Sequence, residues 1–137
     1  MFLLIMKDPN NPCLFCKTPK KEYEFENDLA YASYDSYPVS KLHALIIPKR
    51  HIKDYFDLNK DEVIACNELI NLMKKKIDNQ DKTVEGYNIG TNSGKVAGQS
   101  INHCHIHLIP RRKGDVDNPQ GGVRAVIASK QHYTRKD

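Results

Sequence analysis

The sequence predicts an α+β domain in which a mainly antiparallel sheet is covered by one long helix. Several short segments have the apolar and aromatic composition of strands, whereas only one long segment has the apolar period of a helix. These segments do not alternate regularly, which disfavours a parallel sheet built from strand-helix-strand units. With 137 residues the chain is long enough to form one domain, residues 1–137, that buries a core without disulfide bonds.

The first predicted elements are a loop and a β-hairpin. Residues 8–22 are rich in Pro, Asn and Lys around two cysteines, a composition typical of a loop. Residues 29–34 and 42–47 have strand composition, with a turn signal at 35–38 between them and Pro48 after the second strand. We therefore expect these two strands to pair in antiparallel orientation.

The long helix is predicted from Lys60 to about Gln80. Asn59 can cap its first turn, and Glu62 stands three residues later, as in a capping box. Apolar residues recur at spacings of three and four and predict one buried stripe. The stripe consists of Val63, Cys66, Ile70, Met73 and Ile77.

Two more strands and a tail follow the helix. Residues 84–91 and 101–109 have strand composition, and Pro110 is expected to end the second of them. The loop between them, 92–100, is rich in small residues. The C-terminal tail, 111–137, has several turn signals and one short apolar run.

Composition and charge narrow the classes of function. The chain has 21 Lys and Arg against 17 Asp and Glu, and the charges are interleaved, so no basic tract is present to bind a nucleic-acid backbone. A net charge of +4 is compatible with a small phosphate-bearing ligand. The apolar run of residues 1–6 is followed at once by charged residues and Pro at 7–9. This run is too short for a signal-peptide core or a membrane span. We expect a cytoplasmic protein without membrane partners.

Three histidines alternate with apolar residues in the last predicted strand. Because a strand points successive side chains to opposite faces, His103, His105 and His107 are expected on one face. Packing explains the apolar residues between them but not three imidazoles in a row. Two alternatives to a reactive cluster are partly exposed histidines without a role and a catalytic zinc held by a His-x-His pair.

The segment 103–109 resembles the signature of the histidine triad family, His-φ-His-φ-His-φ-φ, where φ is apolar. Other segments resemble the family in the same order along the chain: Cys13-x-x-Cys16, residues 45–51, Gly98-Gln99-Ser100 and Pro110-Arg111-Arg112. Residues 113–124 are similar to bacterial-type members that hydrolyse dinucleoside polyphosphates or related nucleotides. The resemblance implies a five-stranded sheet with one long and one short helix per subunit, and a two-fold homodimer joined through the long helix and a neighbouring strand.

The resemblance also implies a chemistry. It predicts a nucleotide hydrolase or nucleotidyl transferase that cleaves at the α-phosphate of dinucleoside polyphosphates or nucleoside phosphoramidates. In this reading His105 attacks phosphorus, His107 hydrogen-bonds the phosphate or the departing group, and His103 completes the triad. A neutral imidazole nitrogen can approach an anionic phosphoryl centre. We expect the other ring nitrogen of His105 to donate to a backbone carbonyl, which would select the reactive tautomer.

Four polar residues match nucleotide contacts in the family. Asn92, Gln99 and Ser100 are expected near the phosphate, where donors already in place would stabilise developing charge. Asp35 is expected on the ribose hydroxyls, although an Asp before Ser-Tyr-Pro is as often a turn former. Ordinary turn chemistry also accounts for Asn92 and Ser100.

The two N-terminal cysteines suggest a metal site. Two thiolates need two further ligands to complete a tetrahedral zinc site. By resemblance to triad proteins with this Cys pair, the ligands would be Cys13, Cys16, His51 and His103. A closed site of this kind would hold a structural zinc, and the chemical step would need no metal.

Other readings of the same residues stay open. Cys13 and Cys16 could form a redox pair, although no thioredoxin-like context surrounds them. The chain could also be a zinc-containing module that binds nucleotides without chemistry. His43, a lone histidine on the second strand, is expected to be structural and at most to support the triad.

Overall fold

Five strands and one long helix form the framework of the chain in this computed structural model, which describes residues 13–136. In chain order the elements are β1 (Phe25–Glu26), β2 (Ala30–Tyr34), β3 (Ala44–Pro48), α1 (Lys60–Gln80), β4 (Val84–Gly90) and β5 (Ile106–Arg112). Among the described residues the shorter helical elements are 3-10 turns, of which Gly122–Val126 is the longest. The predicted loop 8–22 is described only from Cys13, and the prediction for residues 1–9 lies outside the described residues.

The five strands form one antiparallel sheet in the order β1-β2-β3-β5-β4. The predicted hairpin is confirmed, because β2 and β3 pair in antiparallel register from Ala30 opposite Pro48 to Tyr34 opposite Ala44. β5 lies between β3 and β4, so the histidine-bearing strand is inside the sheet. The predicted α+β fold with a mainly antiparallel sheet is confirmed.

Helix α1 begins and ends where the sequence predicts. The side chain of Asn59 accepts from the Glu62 N–H at 2.9 Å, and the Glu62 carboxylate accepts from the Asn59 N–H at 3.0 Å, which forms the predicted capping box. Glu62 is buried and also accepts two hydrogen bonds from the Arg50 guanidinium. This ion pair joins the start of α1 to the chain segment that carries His51.

One face of the sheet packs against α1. The alternating residues of β2, β3 and β5 that face the helix are Ala30, Ala32, Ala44, Ile46, Ile106 and Leu108, and the helix contributes Ala65, Cys66, Leu69, Met73 and Ile77. The predicted stripe is therefore correct for Cys66, Met73 and Ile77. It is wrong for Val63, which is 38% exposed, because the buried position one turn before Cys66 is Glu62. Ile70 lies at the margin of the core, and Leu69 occupies its centre.

The opposite face of the sheet carries the histidines and the N-terminal cysteine segment. Tyr31, Leu45 and Ile47 form a second buried cluster with Phe15, which lies between the two N-terminal cysteines. The Tyr31 hydroxyl donates to the Phe15 carbonyl at 2.7 Å. These contacts hold the cysteine segment on the same face as the imidazoles.

The boundaries of β5 differ from the prediction of 101–109. The ladder between β3 and β5 begins with Ile46 opposite Ile106. β3 ends two residues later at Pro48, which has no N–H with which to extend this ladder. The Cys104 N–H donates instead to the Ile52 carbonyl at 2.9 Å. At its other end β5 continues through Pro110 to Arg112, since it pairs there only with β4 and a proline is tolerated on an open side. Only His107 of the three histidines is therefore within the strand.

None of the helices within residues 13–136 combines the length and apolarity that crossing a bilayer requires. The cytoplasmic location stays a prediction.

Candidate active site and metal site

His105 lies just before β5 and is buried. Its Nδ1 is 2.8 Å from the carbonyl oxygen of His103, and since a carbonyl only accepts, Nδ1 carries the proton. The expected carbonyl partner is thus present. The lone pair of His105 is then on Nε2, the nitrogen that can act as a nucleophile. The ring contacts Phe15 with centroids 4.9 Å apart, which fixes its orientation.

His107 is hydrogen-bonded to His43, which the sequence predicts to be structural and at most to support the triad. Nδ1 of His107 is 2.9 Å from Nε2 of His43, and Nδ1 of His43 accepts from the Val39 N–H at 3.1 Å. Because Nδ1 of His43 accepts a hydrogen bond, the ring proton of His43 is on Nε2, which donates a hydrogen bond to Nδ1 of His107. The single ring proton of neutral His107 is therefore on its Nε2. The site offers an acceptor nitrogen on His105 beside a donor nitrogen on His107, with ring centroids 5.2 Å apart.

Burial keeps this pair of histidines neutral. The pKa of His43 is lowered by loss of hydration, an effect that the nearby Asp35 carboxylate opposes. The pKa of His107 is lowered by burial first and then by the neighbouring His105 and His43 rings, again against Asp35. The hydrogen-bond pattern and the direction of both shifts therefore agree.

Asp35 forms the turn considered for it from the sequence, whereas its contact with ribose stays a prediction. Its Oδ1 accepts from the Tyr37 N–H at 2.8 Å, which is a turn-forming bond. Its Oδ2 lies 3.5 Å from His43 Nε2 and 4.0 Å from His107 Nδ1. The carboxylate therefore borders the paired histidines.

Gln99 shapes the loop between β4 and β5. Its side-chain NH2 donates to the carbonyls of Lys53 and Ile101 at 2.6 and 3.0 Å, and its Oε1 accepts from the Gly94 N–H at 2.9 Å. These bonds occupy both amide hydrogens. The structure thus places the Gln99 amide within the loop, where it holds the backbone in shape.

The other predicted phosphate contacts lie at the two ends of this loop. Asn92 is half-buried and lines a cavity together with His107, and Ser100 is exposed at the far end. Gly98 has a positive φ of 95°, which favours glycine, and is close to the Asn92 amide. Thr91 donates from Oγ1 to the His105 carbonyl at 2.7 Å, which ties the loop to the histidine segment.

Cys13, Cys16, His51 and His103 form one cluster that could hold a metal ion. Nδ1 of His103 is 3.3 Å from Cys13 Sγ, 3.5 Å from Cys16 Sγ and 3.1 Å from His51 Nδ1. Zinc at about 2.0–2.3 Å from N and S ligands places those ligands roughly 3.3–3.8 Å apart, so the donor set fits a tetrahedral site.

The surroundings of His103 also suit a metal ligand. Nε2 of His103 donates to the Pro48 carbonyl at 2.8 Å, which leaves the Nδ1 lone pair directed at the cysteines. Burial lowers the pKa of His103 to about 4, and the neutral ring is the form that binds metals. The predicted ligands are thus together, whereas Asp35, His43 and His107 form a separate cluster.

The comparison with known proteins gives both a family and relatives. The sequence model of the HIT domain matches residues 17–114. The adenosine 5′-monophosphoramidase of Schizosaccharomyces pombe is 35% identical over 105 residues, which cover 72% of this chain and 74% of that protein.

Two solved structures extend the likeness to the fold. The diadenosine triphosphate hydrolase of Plasmodium falciparum has a TM-score of 0.67 and 28% identity, covering 84% of this chain and 82% of its own. A zinc-bound histidine triad family protein from Mycobacterium smegmatis has a TM-score of 0.68 and 26% identity, covering 86% of this chain and 92% of its own. Since the HIT model spans more than half of the residues and the relatives share the fold, the chain belongs to the HIT domain family.

Proposed function

We propose that the protein is a nucleotide hydrolase that cleaves at the α-phosphate of nucleoside phosphoramidates or dinucleoside polyphosphates through a covalent nucleotidyl-His105 intermediate. One observation supports this most directly. The hydrogen bond from His105 Nδ1 to the His103 carbonyl leaves the lone pair of His105 on Nε2, beside the Nε2–H of His107. An uncharged nucleophile and a hydrogen-bond donor then face the same phosphoryl group.

The proposed reaction has two steps. In the first, a bond forms between His105 Nε2 and phosphorus while the bond from phosphorus to the leaving atom breaks. The leaving atom keeps the electron pair of that bond, is hydrogen-bonded by His107 Nε2–H, and takes a proton from water. In the second, the hydroxide that remains attacks phosphorus and releases His105. One water molecule is consumed overall, and a nucleoside monophosphate and the protonated leaving group are formed.

The relatives support this class of substrate. The S. pombe protein is named for a phosphoramidate and the P. falciparum protein for a dinucleoside triphosphate. Both compounds place a nucleoside monophosphate on one side of the scissile bond and a leaving group on the other. Transfer to an acceptor other than water would use the same intermediate.

The proposed contacts to the nucleotide come from the loop 92–100 and from the turn at Asp35. We propose that Asn92 and Ser100, with nearby backbone N–H groups, bind the phosphoryl oxygens, and that Asp35 binds the ribose. Gln99 contributes by holding the loop that presents them. A loop held by its own hydrogen bonds does not have to reorganise as charge develops on the phosphate.

We propose a structural zinc at Cys13, Cys16, His51 and His103. Four protein ligands leave no open coordination position for water, so the ion would fix the N-terminal segment to the histidine segment and would not take part in the reaction. Both thiols lie against imidazole nitrogens, as metal ligands do, which favours zinc over a redox role. The zinc-bound M. smegmatis relative supports this proposal.

A two-fold dimer is also proposed. Cys66, Met73 and Ile77 of the predicted helix stripe are buried against the chain's own sheet, so the contact would use the exposed side of α1 and the edge strand β4. Sedimentation at micromolar concentration should give the mass of two chains, and a single-chain mass would reject the dimer.

The test of the proposed reaction is the substitution His105→Ala. We expect turnover of adenosine 5′-phosphoramidate to fall by at least about 10³-fold, since the nucleophile is removed. Binding of AMP, measured by calorimetry, should persist and shows that the variant is folded. Wild-type turnover in this variant would contradict the proposal, whereas AMP binding by a wild-type protein that turns nothing over would identify a binding module.

A further inference from the structure

The proposed nucleophile lies just outside the sheet. The ladders that join β5 to β3 and to β4 begin at Ile106 and at His107, so His105 precedes both of them. Its position therefore depends on contacts other than strand pairing. One of these is the hydrogen bond from Thr91 Oγ1 to the His105 carbonyl, and the others come from the surroundings of the cysteine cluster.

One peptide group supports His105 directly. The carbonyl oxygen of His103 accepts the Nδ1 proton of His105 at 2.8 Å, and the N–H of the same peptide, that of Cys104, donates to the Ile52 carbonyl at 2.9 Å. Because a peptide group is planar, turning its carbonyl away from His105 would also break the hydrogen bond to Ile52. The carbonyl that selects the tautomer of His105 is therefore anchored by the segment that contains Ile52.

Both sides of this anchor adjoin a residue of the cysteine cluster. His103 supplies the carbonyl, and Ile52 directly follows His51. The Nδ1 atoms of His51 and His103 are 3.1 Å apart, in a cluster whose ligand atoms could all bind one ion. An ion bound by the two imidazoles would hold their segments at a fixed separation, and it would thereby preserve the hydrogen bond between Cys104 and Ile52.

Phe15 forms a second connection between the cluster and His105. It lies between Cys13 and Cys16 in the chain and is buried. The centre of its ring is 4.9 Å from that of His105 and 5.9 Å from that of His103. Because two ligands flank Phe15, a bound ion would restrict this ring as well. The cluster therefore reaches His105 through a hydrogen bond and through an aromatic contact.

We propose that His103 is a metal-dependent positioning residue, whose carbonyl keeps the proton of His105 on Nδ1 only while its ring binds the ion. The inference rests on the proposed function and adds to it a link between metal occupancy and the rate of the chemical step. The ion itself takes no part in making or breaking bonds. Without it, the segments 51–52 and 103–104 can separate, and the His105 proton is no longer confined to Nδ1. A ring with its proton on Nε2 has no lone pair there to attack phosphorus.

Ring-nitrogen NMR tests this link without any turnover. Long-range correlation of ring protons with ¹⁵N distinguishes a protonated from an unprotonated nitrogen, so it reports the tautomer of each histidine. In zinc-loaded wild-type protein in mildly alkaline buffer, Nδ1 of His105 should be the protonated atom. After chelation, His105 should become a mixture of both tautomers, whereas His43, which lies outside the cluster, should keep its proton on Nε2. An unchanged Nδ1–H tautomer of His105 without metal would overturn the proposal.

His51 provides matched variants, because it is the exposed residue of the cluster and its truncation leaves the buried core intact. His51→Ala should lose the zinc and lower kcat for adenosine 5′-phosphoramidate by about ten-fold or more, with KM changed by less than about two-fold, since only the nucleophile is displaced. His51→Cys completes a site of three Cys and one His, so it should retain both the zinc and the rate. The control Lys17→Ala, which removes an exposed side chain beside Cys16, should behave as wild type.

The remaining outcomes separate the positioning role from its alternatives. A low kcat in zinc-loaded His51→Cys would show that the His51 imidazole is required rather than the ion, which would overturn the proposal. Loss of amide protection in α1 of His51→Ala would make the ion a requirement of the whole fold and would overturn it as well. If the wild-type protein cleaves no nucleotide, the proposed reaction fails, and the tautomer of His105 with and without zinc still decides the positioning role.

Discussion

At the scale of single residues, hydrogen-bond partners decide which ring nitrogen of each histidine carries the proton. A backbone carbonyl holds the proton of His105 on Nδ1, and a backbone N–H from Val39 determines the tautomer of His43 and, through it, that of His107. The identity of the three triad histidines could be predicted from sequence. The sequence allows a supporting role for His43 but does not select His107 as its partner, because that contact depends on strand register across 64 positions of the chain.

The lowered pKa values of His43 and His107 predict an acid-side loss of stability. Both rings are neutral in the folded protein and become protonated in the unfolded chain below about pH 6.5. Below that pH the unfolded state binds more protons than the folded state. The contribution of these two rings to the free energy of unfolding is therefore full above about pH 6.5 and is lost as the pH falls through their pKa values in the folded protein.

Proton NMR titration and urea unfolding check this prediction. The ring resonances of His43 and His107 should titrate with midpoints below 6.5, and the free energy of unfolding should decrease from pH 7.5 to 5.5. His43→Asn should lose less stability over that range than wild type, because one of the two rings is absent. Midpoints at or above 6.5 would show that Asp35 outweighs burial.

At the scale of elements, α1 could be predicted almost to the residue because its signals are local. The capping box of Asn59 and Glu62 and the spacing of Cys66, Met73 and Ile77 lie within one segment. The start of β5 could not be predicted in the same way, since it depends on its partner strand ending at Pro48. Local signals define helices, whereas strand ends also depend on residues far away in sequence.

Leu69 and Ile64 provide a matched test of the core beneath α1. Leu69 is 0% exposed against the sheet, and Ile64 is 58% exposed on the other side of the same helix. Leu69→Ala should lower the free energy of unfolding by about 2–5 kcal/mol, because it leaves a cavity in the centre of the core. Ile64→Ala should change it by less than about 1 kcal/mol. Denaturant unfolding that gave equal losses would contradict this packing.

At the scale of the whole molecule, the sheet separates a structural face from a chemical face. One face is covered by α1, and the other carries the histidines, the cysteine segment and the loop held by Gln99. The order of strand and helix segments predicts the fold class and the alternation of residues 103–109 predicts the triad, whereas the ligand set of the cysteine cluster follows only from the resemblance to the histidine triad family. The sequence does not indicate the 3-10 turn Gly122–Val126, whose position depends on tertiary contacts of the tail.

The cysteine cluster predicts a metal requirement for order in the N-terminal segment. Elemental analysis should find about one zinc per chain, and a strong chelator should accelerate amide hydrogen exchange at 13–18 while α1 remains protected. Cys16→Ser should lose the metal, whereas Cys66→Ala, which alters a buried cysteine of α1 outside the cluster, should retain it. Purified protein without zinc, or exchange unchanged by chelation, would contradict the structural zinc.

The central claim is that Nε2 of His105 forms a bond to phosphorus. Rapid acid-free quenching of wild-type protein mixed with adenosine 5′-phosphoramidate, followed by peptide mass spectrometry, measures this directly. The account predicts an adenylyl group on the peptide containing 103–107, assigned to His105 by fragmentation and absent from His105→Ala. An adduct on another residue, or full turnover with no adduct at any time point, would contradict the account.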